Sequence, residues 1–76
     1  MVTVYVMVKA NTGEANQLRH EIERLDGVER AFIVAGDVDI VVRATLDSTA
    51  DVKDLVADGM HAIGGVADTS TYIAMG

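Results

Sequence analysis

A chain of 76 residues with a net charge of −6, no cysteine and two histidines holds enough residues for one domain and has no disulfide or thiolate metal site to brace it. Its apolar half excludes a disordered composition. No apolar run approaches the roughly 18–20 residues that span a bilayer, and the acidic excess argues against direct binding to a phosphate backbone. A domain this small buries only about 60% of the surface its unfolded chain exposes, so oligomerisation is the expected reinforcement.

Val2 to Lys9 alternates a row of valines (Val2, Val4, Val6, Val8) with Thr3, Tyr5, Met7 and Lys9, which predicts a first strand. Residues 10–13 form a turn-rich break. Asn11 or Thr12 is expected to cap the helix that follows, and Asn11 with Glu14 resembles a capping box. Ala15, Leu18, Ile22 and Leu25 recur at helical spacing and predict helix one over about Gly13 to Leu25, with Gly27 at its exit.

Val28 to Ala35 reads as strand two and Val38 to Thr45 as strand three, joined by a Gly36-Asp37 hairpin turn. Asp47, Ser48 or Thr49 is expected to cap a second helix. Its stripe is Val52, Leu55, Val56 and Ile63, and Gly64-Gly65 ends it. Val66 to Met75 is strand four.

The two halves correspond. Leu25-Asp26-Gly27-Val28 matches Ile63-Gly64-Gly65-Val66, half the chain apart and at the same helix-to-strand joint. Two βαβ units with right-handed crossovers give an α+β, ferredoxin-like βαββαβ fold. Both helices then lie on one face of a four-stranded antiparallel sheet of order 4-1-3-2.

With Val4, Val6, Phe32, Val34, Ile40 and Val42 assigned to the helix side, the other face carries Tyr5, Met7, Ala31, Ile33, Val41, Ile73 and Met75. A sheet with one wet face alternates apolar with polar residues, and these strands do not. Each such side chain left in water forfeits roughly 1.5–3 kcal/mol, so Tyr5, Met7, Ile33, Val41 and Ile73 are the expected interface with a second copy.

Gly36-Asp37-Val38-Asp39 is the most distinctive local run. It reads either as a corner that binds an amine with two carboxylates or as a Gly-Asp turn before a polar strand start. Asp39 enters a central strand, where a carboxylate needs a partner or a ligand. Thr69 and Thr71 offer hydroxyls for a carboxylate or amide, or serve as ordinary strand formers.

His20 falls opposite the helix-one stripe, and His61 falls in the last turn of helix two, where the dipole favours positive charge. Neither has a neighbouring nucleophile, and they are too isolated to suggest zinc. Asp47, Asp51, Asp54 and Asp58 read as a solvated acidic ridge rather than a metal site, because a calcium loop packs its ligands into one glycine-containing turn. The acidity itself reads as plain solubility, adaptation to a high-salt cytoplasm, or a docking surface for a basic partner.

The run from Leu25 to Ala44, with Gly36-Asp37-Val38-Asp39 at its centre, resembles the middle of the effector-binding (RAM) domain of the leucine-responsive regulator/AsnC family. Gly13 before helix one, Gly65-Val66 and Thr69-Ser70-Thr71 extend the resemblance over nearly the whole chain. It implies a sheet-to-sheet dimer of the α+β barrel type, higher assembly, and amino-acid effectors held between subunits. Carried over residue by residue, it makes Gly36, Asp37, Asp39, Thr69 and Thr71 the ligand-binding candidates. Family regulators place a helix-turn-helix ahead of this domain, whereas Met1 opens directly into strand one. The expectation is therefore a stand-alone, cytoplasmic module spanning residues 1–76.

That module would need no cofactor or metal, would not touch nucleic acid or membrane, and would co-assemble with full-length regulators of the family. Two alternatives stay open. A small cofactor-free oxygenase or isomerase of the dimeric ferredoxin-like type would need a cleft between helices and sheet beside His20, His61 or Tyr5. An ACT-type amino-acid-binding domain would pair its sheets edge to edge.

Overall fold

The computed structural model describes residues 1–11 and 13–75. The elements run β1 (Val2–Ala10), α1 (Ala15–Glu23), β2 (Val28–Ile33), β3 (Ile40–Leu46), α2 (Ala50–Lys53) continuing as a π-helical segment (Asp54–Met60), and β4 (Val66–Ile73). The sheet order is β2-β3-β1-β4, with every neighbouring pair antiparallel. This is the expected ferredoxin-like order read from the other edge. The two most regular strands, β1 and β3, are central because their alternating valines and isoleucine present one unbroken apolar row to the helices.

Val4, Val6, Val8, Ile40, Val42 and Ala44 are buried on that row, and Leu18 and Ile22 of α1 close over it. Full burial of each large aliphatic side chain contributes about 1.5–3 kcal/mol, which makes this layer the main source of stability. The second helix adds Leu55 and Met60. These two are five residues apart, and the wider π turn brings both onto the core side. Its signature is the His61 N–H bond to the Val56 carbonyl at 3.0 Å. A stripe at ordinary helical spacing points to Val52, Leu55, Val56 and Ile63 and passes over Met60.

The start of α1 differs from expectation, whereas the start of α2 falls on one of the expected residues. Glu14 occupies the cap position of α1. Asn11 is exposed and donates its backbone N–H to the Gly65 carbonyl at 2.8 Å, so it extends the β1–β4 pairing and does not cap. The alternative cap, Thr12, lies outside the described residues. At α2 the cap position is Thr49, and the Asp51 carboxylate reaches back to the Ser48 N–H at 3.3 Å.

The paired halves share a backbone device. Gly27 and Gly65 both take positive φ, 93° and 105°, at the joint into an outer strand. Each outer strand then carries an extra residue. Val28 and Arg30 face Ala44 and Arg43, leaving Glu29 between them, and Val66 and Asp68 face Ala10 and Lys9, leaving Ala67 between them.

These bulges re-phase both outer strands and correct the face assignment. Ala31 faces Val42 and Ile33 faces Ile40, so both lie on the helix side. Phe32 faces Val41 and lies on the open side. Ile73 faces Val4, again on the helix side, while Tyr72 faces Tyr5. Of the residues expected on the open face, Tyr5, Met7 and Val41 lie there, Ile33 and Ile73 do not, and Phe32 and Tyr72 are there instead.

The strand ends shift too. β2 stops at Ile33 and β3 starts at Ile40, so a six-residue connection replaces the expected tight turn, and Val38 belongs to that connection.

Candidate functional site

The connection between β2 and β3 is closed by the Val34 N–H bond to the Asp39 carbonyl at 2.9 Å. Asp39 is also tied to β1 twice. Its N–H donates to the Val8 carbonyl at 3.0 Å, and its Oδ2 accepts from the Ala10 N–H at 2.8 Å. The carboxylate at the start of a central strand therefore has a backbone partner. It supplies the acceptor that the Ala10 amide needs where β1 outruns β3. Gly36 and Asp37 project beyond this tie and are exposed.

On the other side of β1, Thr69 pairs with Val8 and Thr71 with Val6. Both hydroxyl side chains fall on the helix side, with Thr69 half-buried and Thr71 exposed. The Thr69 N–H donates to the Asp68 carboxylate at 2.9 Å. The Thr69 hydroxyl lies 3.0 Å from Nε2 of His61, which sequence reasoning considered only as a helix-end residue and an acid–base candidate. The signal for it lay in the π turn, which no periodicity rule anticipates.

The five candidates thus fall into two groups, with Gly36, Asp37, Asp39 and Thr69 toward one end of the sheet and Thr71 opposite the middle of β1. Gly36, Asp37 and Asp39 lie beside β3. Thr69 and Thr71 lie on β4, two strand spacings or roughly 10 Å away across β1. Asp39 precedes the helix-facing Ile40, so by alternation it belongs to the opposite side from Thr69. Among the described residues of one chain, a single small ligand does not bridge the two groups.

The open face carries Tyr5, Met7, Phe32, Val41 and Tyr72 as a contiguous apolar centre. Phe32 and Tyr72 are 43% and 58% exposed. Its margin is polar. Arg30 sits over the Phe32 ring, 4.8 Å from its centroid, and Arg43 pairs with Glu29 at 3.0 Å. A side that is greasy at its centre and charged at its rim has the anatomy of a protein interface.

A separate cleft of about 380 Å³ opens where α1 exits toward β2 and the second helix begins. Leu25, Leu46 and Leu55 floor it, and Asp26, Asp47 and Asp54 stand on its rim. Three residues of the expected acidic ridge, Asp47, Asp51 and Asp54, therefore line a concavity. Between helices and sheet the described residues pack as an aliphatic core with no buried polar side chain. His20 is exposed on α1, His61 meets β4, and Tyr5 lies across the sheet on the open face. The three candidates for acid–base work are not brought together.

Residues 3–76 match the Lrp/AsnC ligand binding domain. The chain belongs to that family. A curated relative, the leucine-responsive regulatory protein of Escherichia coli K12, is 24% identical over 75 residues. That match covers 95% of this chain and 46% of the relative, so the chain spans about half the length of the curated relatives it matches.

Among solved structures, TTHA0845 from Thermus thermophilus superposes with a TM-score of 0.94 at 27% identity, covering 99% of this chain and 94% of that one. The transcriptional regulator NMB0573 from Neisseria meningitidis, solved as a complex with L-Met, shares the fold at a TM-score of 0.87 and 16% identity. It is covered over 50% of its length, against 99% of this chain. No helix among the described residues is long and apolar enough to cross a membrane.

Proposed function

We propose that this Lrp/AsnC-family chain is a non-enzymatic, amino-acid-binding and oligomerisation module that modulates full-length regulators of the same family. The observation that carries the reading is the Gly36–Asp39 connection on a ligand-binding-domain fold. It holds one carboxylate, Asp39, by a backbone tie and leaves a second, Asp37, exposed beside it. One held and one exposed carboxylate suit the α-ammonium group of an amino acid, because charge-assisted hydrogen bonds are the strong ones.

In this reading Gly36, Asp37 and Asp39 of one subunit and Thr69 and Thr71 of a neighbour complete one effector site. The split of the candidates across β1 supports this, since the two groups are separated by a strand within one subunit. The apolar open face, centred on Tyr5, Met7 and Val41, packs on a second copy or on the matching face of a larger regulator in the cytoplasm. The complex of the Neisseria regulator with L-Met makes amino acids the first effectors to test.

The test is calorimetry with the twenty amino acids, paired with light scattering to give the mass in each case. Saturable binding of a subset, weakened at least about tenfold in Asp37→Asn, is the expected result. A verified oligomer that binds none of the twenty would overturn the reading.

A further inference from the structure

We propose that His61 is a positioning residue of the effector site, acting through the Thr69 hydroxyl. The inference rests on the reading that places Thr69 in that site.

Two independent features converge on His61. The first is the backbone. The second helix is α-helical over Ala50–Lys53 and π-helical over Asp54–Met60, and it closes on the His61 N–H bond to Val56 at 3.0 Å. Rewinding that end as an α-helix would turn His61 about the axis by roughly one residue's rotation, about 100°, and aim the imidazole away from β4. Isolated π turns inside helices recur at functional sites. Here the turn is also what lets both Leu55 and Met60 reach the core.

The second feature is the contact itself. Nε2 of His61 lies 3.0 Å from Oγ1 of Thr69, and both groups remain open to solvent. A threonine hydroxyl has one proton and two lone pairs, and on a free rotor it presents either to a ligand. A ring nitrogen at hydrogen-bond distance removes that freedom. The imidazole either accepts the hydroxyl proton, which leaves both lone pairs of Thr69 outward, or donates to one lone pair, which leaves the proton and the other lone pair. The Thr69 backbone is held as well, by its N–H bond to Asp68 at 2.9 Å. Main chain and side chain of Thr69 are thus both positioned before a ligand arrives, which reduces the ordering cost of binding.

The contact also ties the last turn of the second helix to an outer strand.

The experiment measures amino-acid affinity by calorimetry for the whole chain and for His61→Ala, His61→Gln, Thr69→Val and the double variant His61→Ala/Thr69→Val. The amino acid used is the one that binds the unaltered chain most tightly. Histidine-selective nitrogen NMR reads the imidazole in each protein. The expected result is a loss of about five- to twentyfold in His61→Ala, the worth of one positioned hydrogen bond. Recovery to within about twofold is expected in His61→Gln, whose amide reaches the same hydroxyl.

The double variant should lose no more than Thr69→Val alone, and the Nε2 signal should shift on addition of the amino acid and in Thr69→Val. A folded His61→Ala that binds as tightly as the unaltered chain overturns the proposal, as do additive losses in the double variant. Absence of binding by the unaltered chain to any of the twenty removes the underlying reading and this proposal with it. The two failures are told apart by that first arm.

Discussion

The carboxylate of Glu23, in the last turn of α1, accepts the backbone N–H of Ala31 on the outer strand β2 at 2.9 Å. Its other oxygen pairs with Arg19 one turn back, also at 2.9 Å. One side chain thus docks the helix to the sheet and caps an amide at an otherwise open edge, the kind of group that invites edge-to-edge association. The Ala31 N–H holds the Glu23 carboxyl below its ordinary value of 4.5, with Arg19 and Arg30 adding to the effect against partial desolvation.

The sign of the pH dependence follows. A carboxyl with a folded pKa below the unfolded value contributes stability that is present above about 4.5 and is lost as pH falls through the folded pKa. Urea midpoints measured from pH 7 down to pH 3 should fall for the parent chain. In Glu23→Gln they should start lower and fall less steeply across that window. Parallel curves for the two proteins would remove Glu23 as the source.

Gly27 is predicted to be irreplaceable, whereas Gly64 is not. A Cβ at Gly27 would stand 2.6 Å from Cδ2 of Leu46, on a backbone with φ of 93°. Positive φ alone costs a side chain about 1–2 kcal/mol, and displacing a core leucine adds to it. Gly27→Ala should cost about 2–4 kcal/mol out of a total on the order of 4–11 kcal/mol for a chain this long. At Gly64 a Cβ would meet nothing within 4 Å, so Gly64→Ala should stay within about 0.5 kcal/mol. Urea denaturation of both variants reads the contrast.

Asp39 separates structure from recognition. Asp39→Ala strips the Ala10 amide of its acceptor and should cost about 1–2 kcal/mol. Asp39→Asn keeps an oxygen for that amide and should cost less than about 1 kcal/mol, yet it removes the charge. Amino-acid affinity should drop about tenfold in both. Parent-like affinity in a well-folded Asp39→Asn would assign the residue to the fold alone.

The open face is tested by charge insertion. Phe32→Lys and Tyr5→Glu place a charge at the centre of the apolar patch and should shift the mass measured by light scattering toward the single chain. Ile33→Lys lies on the helix side of the same strand and should leave the mass unchanged. An unchanged mass in Phe32→Lys would show that copies meet elsewhere.

Much of this molecule could be read from local pattern. The four strands, the two helical stretches, the repeat joint at Gly27 and Gly65, and the order of the strands follow from hydrophobic period, turn chemistry and crossover handedness. The inward rows of β1 and β3 were legible because Val4, Val6 and Val8 and then Ile40, Val42 and Ala44 recur at every second residue, although β3 starts at Ile40 and not at Val38. The Gly36–Asp39 run stood out because two carboxylates and a glycine are unusual between strands.

Tertiary structure alone decided which side of the outer strands looks outward. One extra residue in each, Glu29 and Ala67, reverses the alternation downstream, so Phe32 and Tyr72 came to the open face and Ile33 and Ile73 left it. Pattern rules assume a constant period, and a bulge breaks that period where the pairing partner, not the strand itself, sets the register. The same holds for His61 and for the Asp39–Ala10 tie. Each exists because distant segments meet, and the geometry of that meeting is set by packing and by the need of every backbone amide for an acceptor.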